Sequence, residues 1–351
     1  MMMQRVLLDA VYINQSGGKV LLEYFICELA KAQRIENVSL LLDDRLDTSA
    51  IDYMDNLQIT KIKGSEFQRQ KFYHSSCKEF TTILCFGNVP PPCKIVDKDV
   101  YILFHNALLL TCKTTNYAWF IRKKFWLKRK YIQYRNQKKY NWIVQTDSMA
   151  NLLACNLGVN LNSIHILPFY ESGKYQSIND QAEDNDQNFL YVADGNEQKN
   201  HLVLLKAWEY IFDNKKLPLV LHLTISSRYP ELLNEVDRLI HKGVRIINHG
   251  YCDFDRMRSL YATSNFFIMP SLSESFGLPI IEAAEAGCEI IAADLPYVYD
   301  VIHPMAVFNP DDSIDIAEKI LMVYTKEGTN RSKLVIENKI KDLIRLVIKD
   351  V

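Results

Sequence analysis

Two carboxylates, Glu274 and Glu282, bracket a glycine and a proline in the run Glu274-Ser-Phe-Gly-Leu-Pro-Ile-Ile-Glu282. Pro279 suits a first helical turn, where no backbone donor is needed, and Gly277 just ahead of it lets the backbone approach a ligand closely. The amides of Phe276, Gly277 and Leu278 then open at a helix N-terminus, whose partial positive charge and unpaired N–H groups suit phosphate. A carboxylate aimed at phosphate would be repelled, so the two acids address hydroxyls flanking the phosphate-binding centre. Hydroxyl, phosphate, hydroxyl is the layout of a nucleotide-sugar. The plain alternative is an ordinary βαβ unit with solvated acids.

The elements that must position these residues are legible around them. Phe266 to Met269 is a short apolar run stopped by Pro270, as a buried strand would be. Ser271 to Gly277 is a polar loop, Gly287 closes the helix, and Ile290 to Ala293 returns as a second buried strand.

The run Glu274 to Glu282 resembles the Glu-x7-Glu signature of retaining GT-B glycosyltransferases, in particular the large family 4, the glycosyl transferases group 1. The resemblance implies an α/β chain of GT-B architecture, with two facing Rossmann-like domains, parallel sheets and an interdomain cleft. It implies that Glu274 lies by the donor sugar, that Ser275 and the amides of Phe276, Gly277 and Leu278 hold the diphosphate, and that Glu282 binds ribose. It also implies retention of anomeric configuration. The resemblance is strong over roughly 189–320 and thinner before it.

Length and composition fit that frame. A chain of 351 residues exceeds one usual core, and 48% hydrophobic against 24% charged residues excludes a disordered or fibrous chain. The expected division is 1–170 for an acceptor-binding domain, 187–328 for a nucleotide-sugar-binding domain, and 329–351 for a C-terminal helix packing back on the first. The polar, acidic stretch from Pro168 to Asn188, with Glu183, Asp184 and Asp186, is the candidate linker. A net charge of −1 gives no global pull toward nucleic acid. Eight cysteines without a Cys-x-x-Cys pair show no zinc spacing; no metal and no other cofactor is expected, the nucleotide-diphosphate sugar being substrate. No signal-peptide pattern or membrane-spanning run is visible, so the expected location is cytoplasmic, with peripheral attachment to the inner membrane face open.

Taken in order, Arg5 to Ala10 reads as a first strand. The loop Asn14-Gln-Ser-Gly-Gly18 places the Gly17 and Gly18 amides at the carboxyl end of the sheet, ahead of a helix. The resemblance brings these glycines toward the donor phosphate or the acceptor; a plain tight turn is the alternative. Tyr101 to Phe104 ends in His105, which the resemblance places near sugar and acceptor and which could equally be structural. In the loop after Phe189 to Ala193, Lys199 keeps the lysine that faces the diphosphate in the family. The arginine usual there is missing, and Ala193 and Asp194 occupy its neighbourhood. Tyr251, in the loop after Val244 to Asn248, falls where family members hold the base.

Between Asp99 and Asp147 there is no acidic residue, and the 119–139 stretch interleaves Lys and Arg with Trp119, Phe120, Phe125, Trp126, Tyr131 and Tyr134. Such a helix can lie on an anionic membrane, near a lipid-diphosphate acceptor. A solvated helix with an aromatic core face is the alternative, and no RNA-binding motif supports a nucleic-acid role.

The expectation is therefore a retaining hexosyltransferase moving sugar to a glycan or lipid-linked acceptor in surface polysaccharide assembly, such as O-antigen, lipopolysaccharide or capsule. Lys199, Glu274 and His105 would be its catalytic set. A nucleotide-sugar epimerase or hydrolase on the same fold, or a non-catalytic sugar-nucleotide-binding subunit, are the alternatives.

Overall fold

The computed structural model describes residues 5–49, 57–111, 117, 119–176, 187–325 and 330–349. Cys112 and the acidic residues Glu183, Asp184 and Asp186 lie outside them. The chain divides into two compact units, residues 1–171 with 337–351, and residues 172–336.

The first unit runs β1 (Val6–Ala10), α1 (Ser16–Lys31), β2 (Val38–Asp43), β3 (Gln58–Ile62), α2 (Glu66–Ser76), β4 (Thr82–Cys85), β5 (Asp99–Leu103), α3 (Trp119–Arg135), β6 (Asn141–Val144), α4 (Asp147–Leu157) and β7 (Ile164–Ile166). Its seven strands form one sheet in the order β3-β2-β1-β4-β5-β6-β7, with every pairing parallel. The central strands β1 and β4 are buried along their whole length, as a sheet covered on both faces requires. Thr146 caps α4 by accepting from the Met149 amide, and Gly158 closes it in the left-handed region.

The second unit runs β8 (Asn188–Tyr191), α5 (His201–Lys215), β9 (Val220–Leu223), α6 (Pro230–Lys242), β10 (Ile246–Asn248), α7 (Phe254–Thr263), β11 (Phe266–Met269), α8 (Leu278–Glu285), β12 (Glu289–Ala293), α9 (Pro296–Tyr299), β13 (Ile302–His303), β14 (Ala306–Phe308), α10 (Ser313–Tyr324) and β15 (Lys333–Leu334). Six strands form a second parallel sheet, β10-β9-β8-β11-β12-β14, and β13 pairs antiparallel with β15. The order turns back at β8, with β9 on one side and β11 on the other. Ligands of open α/β sheets bind at the carboxyl ends of the strands beside such a switch point.

The chain ends in α11 (Ile340–Val347), which belongs to the first unit and packs on α1. Asn338 donates to the Tyr24 hydroxyl (2.9 Å) and the Tyr170 carbonyl (2.5 Å), and the Lys339 amide donates to the Pro168 carbonyl (2.6 Å).

Two local expectations are corrected. The C-terminal helix expected over 329–351 begins only at Ile340, because Lys333 and Leu334 pair with β13 as a strand. Gly17 and Gly18 do not form a turn. They lie in the first turn of α1, and neither has a positive φ.

Candidate functional site

In the second unit, the loop after β8 and the loop after β11 are tied together by their backbones. The Tyr191 hydroxyl donates to the Lys199 carbonyl (2.7 Å) and meets the Ser271 hydroxyl (2.9 Å), while the Leu272 amide donates to the Gln198 carbonyl (2.8 Å). Asn200, in the left-handed region at φ 60°, donates its side-chain amide to the carbonyls of Pro270 and Pro310. This lattice sets the Lys199 ammonium 2.6 Å from Glu274 Oε1, with the two side chains only 19% and 13% exposed. A charge-assisted contact this short at a part-buried site is strong and directional.

Beyond Glu274 the chain passes Ser275 and the buried Phe276 to Gly277, whose φ of 81° caps the start of α8. A side chain with a Cβ is strained at that angle, so the glycine is what lets the loop turn into the helix directly behind Glu274. Pro279 occupies the first turn. One turn on, Glu282 Oε2 accepts from the Tyr261 hydroxyl (2.8 Å), which fixes the orientation of the carboxylate. Tyr261 is itself buried against Tyr175, with ring centroids 5.0 Å apart. Glu274, Ser275, Phe276, Gly277, Leu278 and Glu282 thus follow one strand, and Lys199 joins them from the neighbouring one.

Tyr251 stands apart. It is 88% exposed in the loop after β10, three strands along the sheet from β11, or roughly 14 Å at the usual strand spacing.

Asp194 is not left facing an anion. Its Oδ1 accepts from the Ser226 hydroxyl (2.8 Å) and the Gly195 amide (3.1 Å), and its Oδ2 meets Arg228 Nη2 at 2.6 Å. Burial works to raise this carboxyl, but the Ser226 and Gly195 hydrogen bonds and Arg228 together hold it below its ordinary range. No local pattern discloses this cluster, since the arginine comes from the loop after β9 and the pairing is non-local.

In the first unit, Gly18 and His105 come together. A Cβ built on Gly18 would stand 3.4 Å from His105 Nε2 and 3.3 Å from Ile13 Cδ1, so α1 can begin this close to the histidine only with a small residue there. Asn88 Oδ1 accepts from the His105 amide (2.6 Å), which turns the Asn88 NH2 toward His105 Nε2 (3.2 Å). Nε2 is then the acceptor and Nδ1 carries the proton. Burial, with a smaller contribution from the Lys128 ammonium, pushes the His105 imidazole down to about 4.

Along α3 the exposed residues include Trp119, Phe120, Trp126, Leu127 and Tyr134, with Trp119 at 73%. Lys123 and Lys130 share this exposed surface, and the spacing from 119 through 123, 126 and 130 to 134 is that of one helical stripe. Ile132 is buried, Arg129 donates to the Leu109 carbonyl, and the Tyr131 hydroxyl donates to Glu66. The aromatic core face considered above is therefore ruled out for Trp119, Phe120, Trp126 and Tyr134. Among the described residues no helix is long and apolar enough to cross a membrane.

Comparison with known proteins bears on the fold and family. Residues 186–326 match the family described as glycosyl transferases group 1. The chain is 29% identical over 169 residues to the serotype-specific mannosyltransferase WbdA of Escherichia coli, an alignment covering 46% of this chain and 20% of WbdA. It is 29% identical over 144 residues to the O-antigen chain mannosyltransferase B of Escherichia coli, covering 38% of this chain and 35% of that one. Thus it spans only about a fifth to a third of the length of these curated relatives. The crystal structure of Anabaena Alr3699/HepE with UDP and glucose superposes with a TM-score of 0.69 at 12% identity, covering 98% of this chain and 95% of that one. With two parallel α/β units and this match in hand, the chain has the GT-B architecture, and residues 186–326, within its second unit, resemble the glycosyl transferases group 1.

Proposed function

We propose that this chain is a retaining glycosyltransferase that moves a sugar from a nucleotide-diphosphate sugar to a glycan or lipid-diphosphate-linked acceptor in surface polysaccharide assembly. The observation that carries the reading is the Lys199–Glu274 pair held beside the glycine-opened start of α8. Breaking the bond between the anomeric carbon and the phosphate oxygen leaves negative charge on the departing nucleoside diphosphate. Pre-positioned donors at that point are the largest single source of rate. Lys199 and the amides of Phe276 to Leu278 supply them without a metal. Glu274, oriented by Lys199, holds the sugar hydroxyls, and Glu282, oriented by Tyr261, holds the ribose. The acceptor oxygen attacks from the face the phosphate leaves, and its proton passes to the leaving phosphate. Tyr251 gives the base a surface to lie on. Gly17, Gly18 and His105 serve the first unit's substrate.

The named relatives are mannosyltransferases, so nucleotide-activated mannose is the first donor to test. The exposed aromatic and basic stripe of α3 fits an anionic membrane surface at the cytoplasmic face, where a lipid-linked acceptor resides.

Incubation of the chain with radiolabelled donor, with and without membrane acceptor, tests the reading. Transfer to acceptor, unchanged by EDTA, is the expected result. Free sugar alone would make the chain a hydrolase, an isomerised donor an epimerase, and binding without product a sugar-nucleotide-binding subunit.

A further inference from the structure

Lys128 lies on the inner side of α3, part-buried, with its ammonium 5.9 Å from the centre of the Tyr12 ring. Among the described residues it makes no ion pair and no hydrogen bond. The Glu66 carboxylate, whose charge acts on it, is already taken. Its Oε1 accepts from the Tyr12 hydroxyl (2.7 Å) and Arg69 Nη1 (3.3 Å), and its Oε2 from the Tyr131 hydroxyl (2.6 Å). An ammonium withdrawn from water with only a ring face and no hydrogen-bond acceptor is unfavourable, and burial with repulsion from Lys124 lowers its proton affinity although the Glu66 charge opposes this.

A second group in the same neighbourhood is also unsatisfied: the Tyr12 ring lies 3.7 Å from where a Cβ on Gly87 would stand, and Asn88, next in the chain, holds His105. His105 Nδ1 is buried with no hydrogen-bond partner, and the Asn88 contact at Nε2 makes it an N–H donor. A buried donor without an acceptor is a further cost. The backbone here is strained as well: Tyr12 at φ 83° and Asn88 at φ 66° are two of the few non-glycine residues in the left-handed region. They sit at the carboxyl ends of β1 and β4, and each touches one member of the pair. Strain, a cation without a hydrogen-bond acceptor and a donor without an acceptor lie in one neighbourhood at the strand ends, as they do where a ligand completes a site.

We propose that Lys128 and His105 form an anion subsite of the first unit that takes a phosphate group of the acceptor substrate. The anion would receive a charge-assisted bond from the ammonium and a hydrogen bond from Nδ1–H. That the phosphate belongs to an acceptor rests on the function proposed above; the subsite itself does not.

Thermal shift and calorimetry with methyl phosphate, at ionic strength matched with chloride, test both statements. Methyl phosphate raises the Tm of the wild type and of Lys199→Ala, but not of Lys128→Met, whose phosphate Kd is weaker by roughly tenfold or more. Lys128→Arg restores the shift. Without ligand, Lys128→Met is at least as stable as the wild type, because an uncompensated charge has gone; a purely structural lysine would give the opposite sign. Should the methionine variant not fold, Lys128→Gln, which keeps most of the stem and its polarity, replaces it. UDP and GDP form the second arm: Lys128→Met keeps any nucleotide shift and Lys199→Ala loses it. A phosphate shift retained by Lys128→Met, or absent from the wild type, overturns the subsite. A nucleotide shift lost in Lys128→Met overturns its assignment to the acceptor. A nucleotide shift retained by Lys199→Ala overturns the donor-site reading while leaving the subsite standing.

Discussion

The Lys199 ammonium and Glu274 Oε1 stand 2.6 Å apart across two adjacent strand ends, and neither side chain is more than a fifth exposed. The pair holds both groups in place before any ligand arrives. Lys199→Ala and Glu274→Ala should each lower kcat for transfer by on the order of 10²–10³. The double variant should lose far less than the product of the two, because each residue orients the other. Initial-rate kinetics check this, and near-normal turnover in both single variants would remove them from the site.

Gly277→Ala should cost about 1 kcal/mol of stability from the left-handed backbone alone, since the new Cβ meets only the Ile280 side chain, at 3.4 and 3.9 Å. It should also weaken nucleotide binding by tilting the loop that precedes α8. Gly158→Ala, at φ 67° with nothing within 4 Å, is the control. It carries a similar backbone cost and should leave nucleotide affinity alone. Denaturant titration and calorimetry on the two variants separate strain from site, and equal nucleotide loss in both would sink the assignment.

His105 makes the first unit acid-sensitive. Its imidazole is held down at about 4 by burial in the folded chain, against an ordinary 6.5 when unfolded. As pH falls the unfolded chain takes up the proton first, so the stability from the neutral ring is complete above about pH 6.5 and is lost on the way down to pH 4. The loss at the acid end is on the order of 3 kcal/mol. His105→Gln should flatten the stability curve across that window. An unchanged slope would mean the ring is already protonated in the folded chain.

The α3 stripe should hold the chain on anionic vesicles and not on neutral ones, with binding falling as salt screens the lysines. Replacing Trp119, Phe120 and Trp126 together by Ser should reduce co-sedimentation without affecting donor binding. Equal partition onto neutral and anionic lipid, indifferent to salt, would count against a membrane role.

Much of the second unit was legible because its signals are local. Pro279 and Gly287 mark the ends of α8, and the apolar runs of β11 and β12 flank it. What escaped is non-local or overridden. β3, Gln-Ile-Thr-Lys-Ile, is a half-exposed edge strand whose polar residues carry no buried-strand signature, and its pairing with β2 decides its state. Lys333 and Leu334 fall inside the C-terminal helix expected from 329 and become a strand through β13. The Asp194–Arg228 contact joins residues 34 apart in the chain, which no local pattern discloses. Lys128 stood out only as one more basic residue of a charged window. Its singular feature, the lack of a hydrogen-bond acceptor or ion pair among the described residues, shows only once Glu66 is seen to be occupied by Tyr12, Tyr131 and Arg69.

The return of α11 to the first unit has a consequence for biosynthesis. Ile340, Leu343, Ile344 and Val347 supply apolar cover to a body whose other elements are finished by residue 171. On the ribosome that body must wait, missing one helix, while the whole of the second unit is translated. Any shortened version stopping near 171 would keep that surface uncovered and be prone to stick to itself. An expression strategy aimed at the first unit alone should therefore splice residues 337–351 back onto it.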